Sequence, residues 1–302
     1  MTRRASAWII GDRLTQMTAS RWASEHGKSR LAVRIATAAE LDALTRAVAG
    51  SGAWLISCNS TAVLSPGLLD VFDDKAINIH PGRLPDFAGL HAVQWAIRLG
   101  EATTASTAHF MTAAIDAGDV IYDIEVPLEP EDTGFTAWVR CQRAQMSLLT
   151  RILTDIAEGH EMPRSPQDLS RRRMFRAADA LGDDFPPDLD ALAIERWVRA
   201  ANYSPLSSPT YHPTLRLDEP ALVLAVDSVA PRPAEPDSPP PATAALTDSD
   251  HLVVGCANNT AVTVDRAHLI HNDEPLSPRW SRVVERLRPA RATASHDRPT
   301  VT

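Results

Sequence analysis

The stretch Ala76-Ile77-Asn78-Ile79-His80-Pro81-Gly82-Arg83-Leu84-Pro85 constrains this chain more than any other. Apolar Ala76, Ile77 and Ile79 read as a short buried strand, and Pro81 ends it because proline cannot donate to a ladder. Side chains alternate along a strand, so Asn78 and His80 point the same way. An amide donor and an imidazole therefore stand side by side where a strand gives way to a loop. In open α/β sheets ligands bind at that carboxyl end. The pair suits acyl transfer, in which an oxyanion needs donors and a proton moves near neutral pH. Taken alone, the same residues favour an Asx turn beside a satisfied histidine.

A second element tips the balance. His109-Phe110-Met111 is followed by Ile115-Asp116-Ala117-Gly118-Asp119-Val120-Ile121. A lone Asp-x-Gly is usually a turn. Here the alternating residues from Val120 to Val126 follow it, so Asp116 is a carboxylate on a loop entering a strand, able to meet the first strand's end.

Together these residues resemble the formyltetrahydrofolate-dependent formyltransferases. The match is Asn78-x-His80-Pro81-x-x-Leu84-Pro85, Phe87-Ala88-Gly89, Gly100-Glu101, His109 and Ile115-Asp116-x-Gly118-Asp119-Val120-Ile121, closing with Val126-Pro127 and Asp132-Thr133. It is similar to the catalytic domain shared by glycinamide ribonucleotide, methionyl-tRNA and amino-sugar formyltransferases, and runs from about Ala53 to about Leu149. The resemblance implies an α/β fold: a Rossmann-like open-sheet catalytic domain with a smaller C-terminal, OB-like β domain. It implies N10-formyltetrahydrofolate as co-substrate and Asn78, His80 and Asp116 as catalytic residues. Asn78 would donate to the formyl oxygen, His80 would support the oxyanion, and Asp116 would hold His80 as a charged imidazolium. Ala62, Val63 and Leu64, with Ile115, Gly118 and Asp119, would embrace the folate. His109 reads equally as an aid to the site and as packing.

Composition narrows the acceptor. The 302 residues carry a net charge of −8, and residues 185–302 hold 11 arginines and 15 acids, net −4. That surface is wrong for nucleic acid. The resembled tRNA enzymes carry a basic insertion after the second strand, for which this sequence has no room. Gly11-Asp12-Arg13-Leu14 replaces the glycine-rich phosphate loop of the nucleotide enzymes, and an acidic side chain makes a poor phosphate nest. The acceptor expected is a small-molecule amine or hydroxylamine, free or carrier-protein-bound. The alternatives are an amino-sugar or methionyl-tRNA formyltransferase, or a folate-binding protein without turnover. Cys58, Cys141 and Cys256 lack metal-ligand spacing, so no metal is expected. Without an apolar run of about 20 residues or a signal peptide, the reading is cytoplasmic, with no membrane partner.

The catalytic domain is expected over residues 1–163, with strands near 7–10, 30–35, 54–59, 107–111 and 120–126. Helices are expected near 14–26, 37–49, 67–72, 90–99 and 136–158. Residues 164–188 read as a linker, and the run Arg171-Arg172-Arg173 as solvated surface, with contact to a phosphorylated substrate the alternative. A helix from Leu189 to Ala201 and short strands (214–217, 221–226, 251–256, 261–267), interrupted by Pro231 to Pro241, form the β domain over 189–287. Residues 288–302 read as a disordered tail.

Overall fold

The computed structural model describes residues 5–27, 30–37, 40, 48–60, 62, 64–179, 182–217, 222–246, 251–271 and 274–275. The expected helix over 37–49 falls mostly outside these residues; the expected tail and Val63 fall wholly outside them. The chain forms two compact units, Met1–Ala180 with Tyr203–Thr210, and Leu181–Asn202 with Tyr211–Thr302.

The first unit is a mixed α/β layer structure. Strands β1 (Ala5–Gly11), β2 (Leu31–Ala36), β3 (Trp54–Cys58) and β4 (Ala76–His80) pair in parallel in the order β2-β1-β3-β4. Two antiparallel strands, β6 (Thr103–Phe110) and β7 (Val120–Pro127), extend the sheet beyond β4. Ile9, Leu55, Ile56 and Ile77 are fully buried, as strands covered on both faces require. Strand β6 begins before the expected Thr107: Thr104 and Ser106 are buried polar residues, which hide the apolar signal.

The helices of this unit carry clear end signals. Asp12 caps α1 (Arg13–Glu25) by accepting from the Thr15 amide at 2.8 Å. Ser65 caps the short α2 (Pro66–Asp70), which packs on the other side of the sheet and has proline in its first turn. Helix α3 (Ala92–Arg98) follows Gly89 closely in the chain. Helix α4 (Gly134–Glu158) starts in a Thr133–Thr136 capping box and stops at Gly159, whose φ of 75° is the left-handed C-cap glycine favours. Leu148, Leu149, Ile152 and Leu153 of α4 bury in one cluster with Ile77 and Ile79, each contributing about 1.5–3 kcal/mol through removal of apolar surface from water. Because Ile77 and Ile79 face α4, Asn78 and His80 face away from it.

The stretch expected as a linker is not one up to residue 179. Ser165 and Val120 exchange backbone hydrogen bonds. Strand β8 (Met174–Phe175) pairs in parallel with the two-residue β5 (Ala88–Gly89). The arginine run is solvated, as expected, yet also tied down: exposed Arg171 pairs with Asp86 at 2.7 Å, half-buried Arg172 donates to the Ile115 carbonyl at 2.5 Å, and exposed Arg173 pairs with Glu101 at 3.3 Å. Single charged side chains with distant partners leave no periodic trace in sequence.

The second unit is an antiparallel sheet in the order β11 (Ala244–Leu246), β12 (Leu252–Cys256), β13 (Thr260–His271), β10 (Leu222–Pro233) and β9 (Thr214–Leu217), with β14 (Glu274–Pro275) on β13. Helix α5 (Ala191–Ala201) packs on it through Trp197, which stacks on Tyr211 at 5.3 Å. Strand β10 runs on through Pro231 to Pro233 instead of stopping before the prolines. Beyond Val226 it has β13 alone as a neighbouring strand among the described residues, so the prolines sit beside an open edge where no N–H is needed.

Candidate active site

Strand β4 delivers Asn78 and His80 to one face of the sheet, and β6 places His109 directly opposite Asn78. Asp116 lies on the loop between β6 and β7 with φ of 51°, in the left-handed region. For a residue other than glycine this costs on the order of 1–3 kcal/mol and persists only where surroundings over-determine it. They do. The Gly89 amide donates to Asp116 Oδ2 at 2.8 Å, Asn78 Nδ2 lies 3.4 Å from Oδ1, and Gln167 Nε2 donates to the Asp116 carbonyl at 3.1 Å. Asp116 is 8% exposed.

The three catalytic candidates therefore form one cluster. His80 Nδ1 faces Asp116 Oδ2 at 3.6 Å, and its Nε2 donates to the Phe87 carbonyl at 2.7 Å. His109 joins them: Nε2 is 3.4 Å from Asp116 Oδ1 and 3.3 Å from Asn78 Nδ2, while Nδ1 donates to the Phe110 carbonyl at 2.9 Å. The Asn78 amide contacts are long, so the amide can exchange them for a better acceptor.

The charge state of His80 differs from expectation. Burial lowers its pKa below the ordinary imidazole value and outweighs the opposing pull of Asp116. A carbonyl only accepts, so the single proton of the neutral ring sits on Nε2 toward Phe87. The Nδ1 lone pair is left facing the carboxylate side. Burial pushes Asp116 up, but the positive charge that His80 takes on in acid, the His109 contact and the Gly89 N–H hold it well below the usual carboxylate range. The pair is a neutral base backed by an ionised carboxylate, rather than a standing imidazolium.

The expected folate contacts lie on two loops. Ala62 and Leu64 follow β3, where Asn59, at φ of 53°, is locked to Gln142 by reciprocal amide hydrogen bonds of 2.5 and 3.1 Å. Ile115 is 53% exposed beside Asp116. Gly118 packs so tightly that a Cβ would lie 2.0 Å from the Phe110 carbonyl oxygen. Asp119 pairs with Arg164 at 3.7 Å. Sequence reasoning missed Gln167 and Arg172 and the structural weight of Gly89. Only the Phe-Ala-Gly match hinted at the last.

Behind Pro81 lies a cavity of about 350 Å³ whose walls include Ala92, Val93, Trp138, Tyr203 and Leu206. Burial pushes the Cys58 and Cys141 thiols up to about 12, so neither is a nucleophile at neutral pH. Among the described residues no group of three or more His, Cys, Asp or Glu could hold a metal ion, and no helix is long and apolar enough to cross a membrane.

A parallel-dominant α/β sheet carrying at one strand end a half-buried Asn78 beside buried His80 and Asp116 is a framework suited to acyl-group transfer. The formyl transferase family model matches residues 22–153. It is 33% identical over 109 residues to a methionyl-tRNA formyltransferase from Synechococcus, an alignment covering 36% of this chain and 34% of that protein. The chain thus spans about a third of the length of this relative. Among solved structures, the fold is similar to an N-formyltransferase from Helicobacter canadensis in complex with folinic acid and dTDP-3-aminofucose. The TM-score is 0.64 at 13% identity, over 87% of this chain and 99% of that one. It is also similar to WlaRD, a sugar 3N-formyl transferase solved in the presence of dTDP and 5-N-formyl-THF. There the TM-score is 0.64 at 12% identity, over 89% and 98% of the two chains.

Proposed function

We propose that this protein transfers a formyl group from N10-formyltetrahydrofolate to the amine or hydroxylamine of a small-molecule acceptor, free or carrier-bound. The observation that carries this reading is the convergence of Asn78, His80 and Asp116, with Asp116 3.4 Å from the Asn78 amide and 3.6 Å from the His80 ring. Attack of the acceptor nitrogen forms the new C–N bond and an oxyanion. Collapse breaks the bond to folate N10, and one proton passes from the acceptor to that nitrogen. Asn78 donates to the oxyanion as charge develops. His80, neutral and with a free Nδ1 lone pair, takes the proton, and Asp116 stabilises the imidazolium for that moment. His80 can then return the proton to the leaving nitrogen.

The loop residues suit a reduced pteridine, whose amide and amino N–H groups need acceptors. The loop offers carbonyls at Ile115, Asp116 and Gly118, each with a second lone pair beyond those taken by Arg172 and Gln167. Exposed Ile115 gives the ring an apolar face. Ala62, Val63, Leu64 and Asp119 complete the proposed contacts. The net −4 of residues 185–302 favours a small acceptor over tRNA, and Asp12, where a phosphate nest would need backbone amides alone, disfavours a nucleotide held in that way. Sugar amines are the second reading, because the similar solved structures include a sugar 3N-formyl transferase and a complex with dTDP-3-aminofucose.

The test is incubation with formyltetrahydrofolate and a panel of amines, hydroxylamines, amino sugars and methionyl-tRNA, with mass analysis of products. A formylated small molecule is the expected result. Saturable folate binding with no product from any acceptor would make this a folate-binding protein instead.

A further inference from the structure

We propose that Gln167 is a positioning residue for Asp116, and that the segment carrying it, residues 165–175, holds the catalytic carboxylate from two sides. This rests on the formyl-transfer reading above and deepens it.

The carboxylate's loop has little of its own to fix it. Asp116 is in the left-handed region, Ile115 is exposed, and residues 112–118 form no helix or strand. Gln167 supplies what is missing: one side-chain amide, Nε2, donates to both the Asp116 carbonyl at 3.1 Å and the Gly118 carbonyl at 2.6 Å. A single NH₂ group bridging two carbonyls two residues apart closes the turn around Asp116 like a clasp. Arg172 adds a third bond, to the Ile115 carbonyl at 2.5 Å.

The other side is held by the same segment. Asp116 Oδ2 takes its 2.8 Å hydrogen bond from the Gly89 amide. Gly89 sits in β5, and the partner strand is β8. Ala88 donates to the Arg173 carbonyl at 3.0 Å, and Leu90 donates to the Phe175 carbonyl at 2.9 Å. The backbone of Asp116 and its carboxylate are therefore both anchored by one stretch of chain, directly through Gln167 and indirectly through the strand that aims Gly89.

Gln167→Met keeps the length and apolar bulk of the side chain and removes both donors; Gln167→Ala removes the bulk as well. A misplacement of about 1 Å at the reacting centre costs up to about 100-fold. Both variants should lose about 10- to 100-fold in kcat per folded molecule, with KM for folate and acceptor nearly unchanged. The second readout is independent of turnover: ¹⁵N resonances of the His80 imidazole across pH. His80 is faced by Asp116 from the loop, His109 from β6 and the Phe87 carbonyl, so movement of Asp116 alone should shift its Nδ1 resonance and lower its titration midpoint. A kcat and a His80 signature both matching wild type in folded Gln167→Met would overturn the proposal. If wild-type protein formylates nothing, the functional reading fails, and the His80 signature alone then decides whether Gln167 positions Asp116.

Discussion

The Gly89 amide lies 2.8 Å from Asp116 Oδ2, and only glycine fits at position 89. Its φ is 89°, and an added Cβ would lie 2.2 Å from the Phe175 carbonyl oxygen. Gly89→Ala must therefore either open the β5–β8 pairing or twist the amide away from the carboxylate. The expected result is a lower melting temperature together with a loss of turnover per folded molecule. Thermal melts paired with active-site-normalised rates check it, and unchanged rates would detach this amide from catalysis.

On the proposed mechanism, Asn78→Ala removes a donor aimed at a developing charge. Loss of one such donor typically costs about 100- to 1000-fold in turnover. Folate affinity should change little, because the contact strengthens only as charge builds. Asp116→Asn keeps the shape but withdraws the charge behind His80, and should be at least as damaging near neutral pH. Single-turnover rates with calorimetric folate binding separate these effects; full specific activity in either variant removes that residue from the mechanism.

The depressed pKa of His80 ties stability to pH in a definite direction. A neutral buried imidazole favours the fold above the unfolded-state value of about 6.5, and that contribution is lost as pH falls toward the folded-state value. Asp116, also depressed, adds a loss in the same direction, starting below about pH 4. The melting temperature should drop as pH falls below about 6.5, and His80→Gln should flatten that part of the curve. Equal slopes in the two proteins would contradict a buried neutral His80.

The cavity behind Pro81 offers aromatic and aliphatic walls. If the acceptor's side group enters it, Val93→Trp should raise acceptor KM while leaving folate binding intact. Initial rates at varied acceptor and fixed folate test this; an unchanged KM places the acceptor elsewhere.

Much of the candidate site's clustering was legible in the sequence, for a physical reason. Asn78 and His80 sit two apart on a strand, and period-two geometry alone puts them on one face. Asp116 needed the following Val120–Val126 alternation to be distinguished from an ordinary turn. The charge state of His80 was not legible, because it depends on how completely distant elements bury the ring. Gln167 and Arg172 were invisible for a related reason: they act through single long-range bonds to backbone carbonyls, which select no pattern. The second unit's β content showed in its short apolar runs, but the continuation of β10 through Pro231 depended on its having, among the described residues, no strand on its other side there.

The segment matched by the family model stops at residue 153, while the chain that clasps Asp116 begins at 165. Strand β1, inside the sheet, lies before the matched segment and the clasp lies after it, so the match bounds neither the core nor the site. A protein trimmed to the matched segment would retain the strand bearing Asn78 and His80 and the acidic loop, yet lack the clasp that fixes the carboxylate. Swapping catalytic segments between relatives at that boundary would likewise join each loop to a foreign clasp, so chimeras should be cut after Phe175 rather than after the last matched helix.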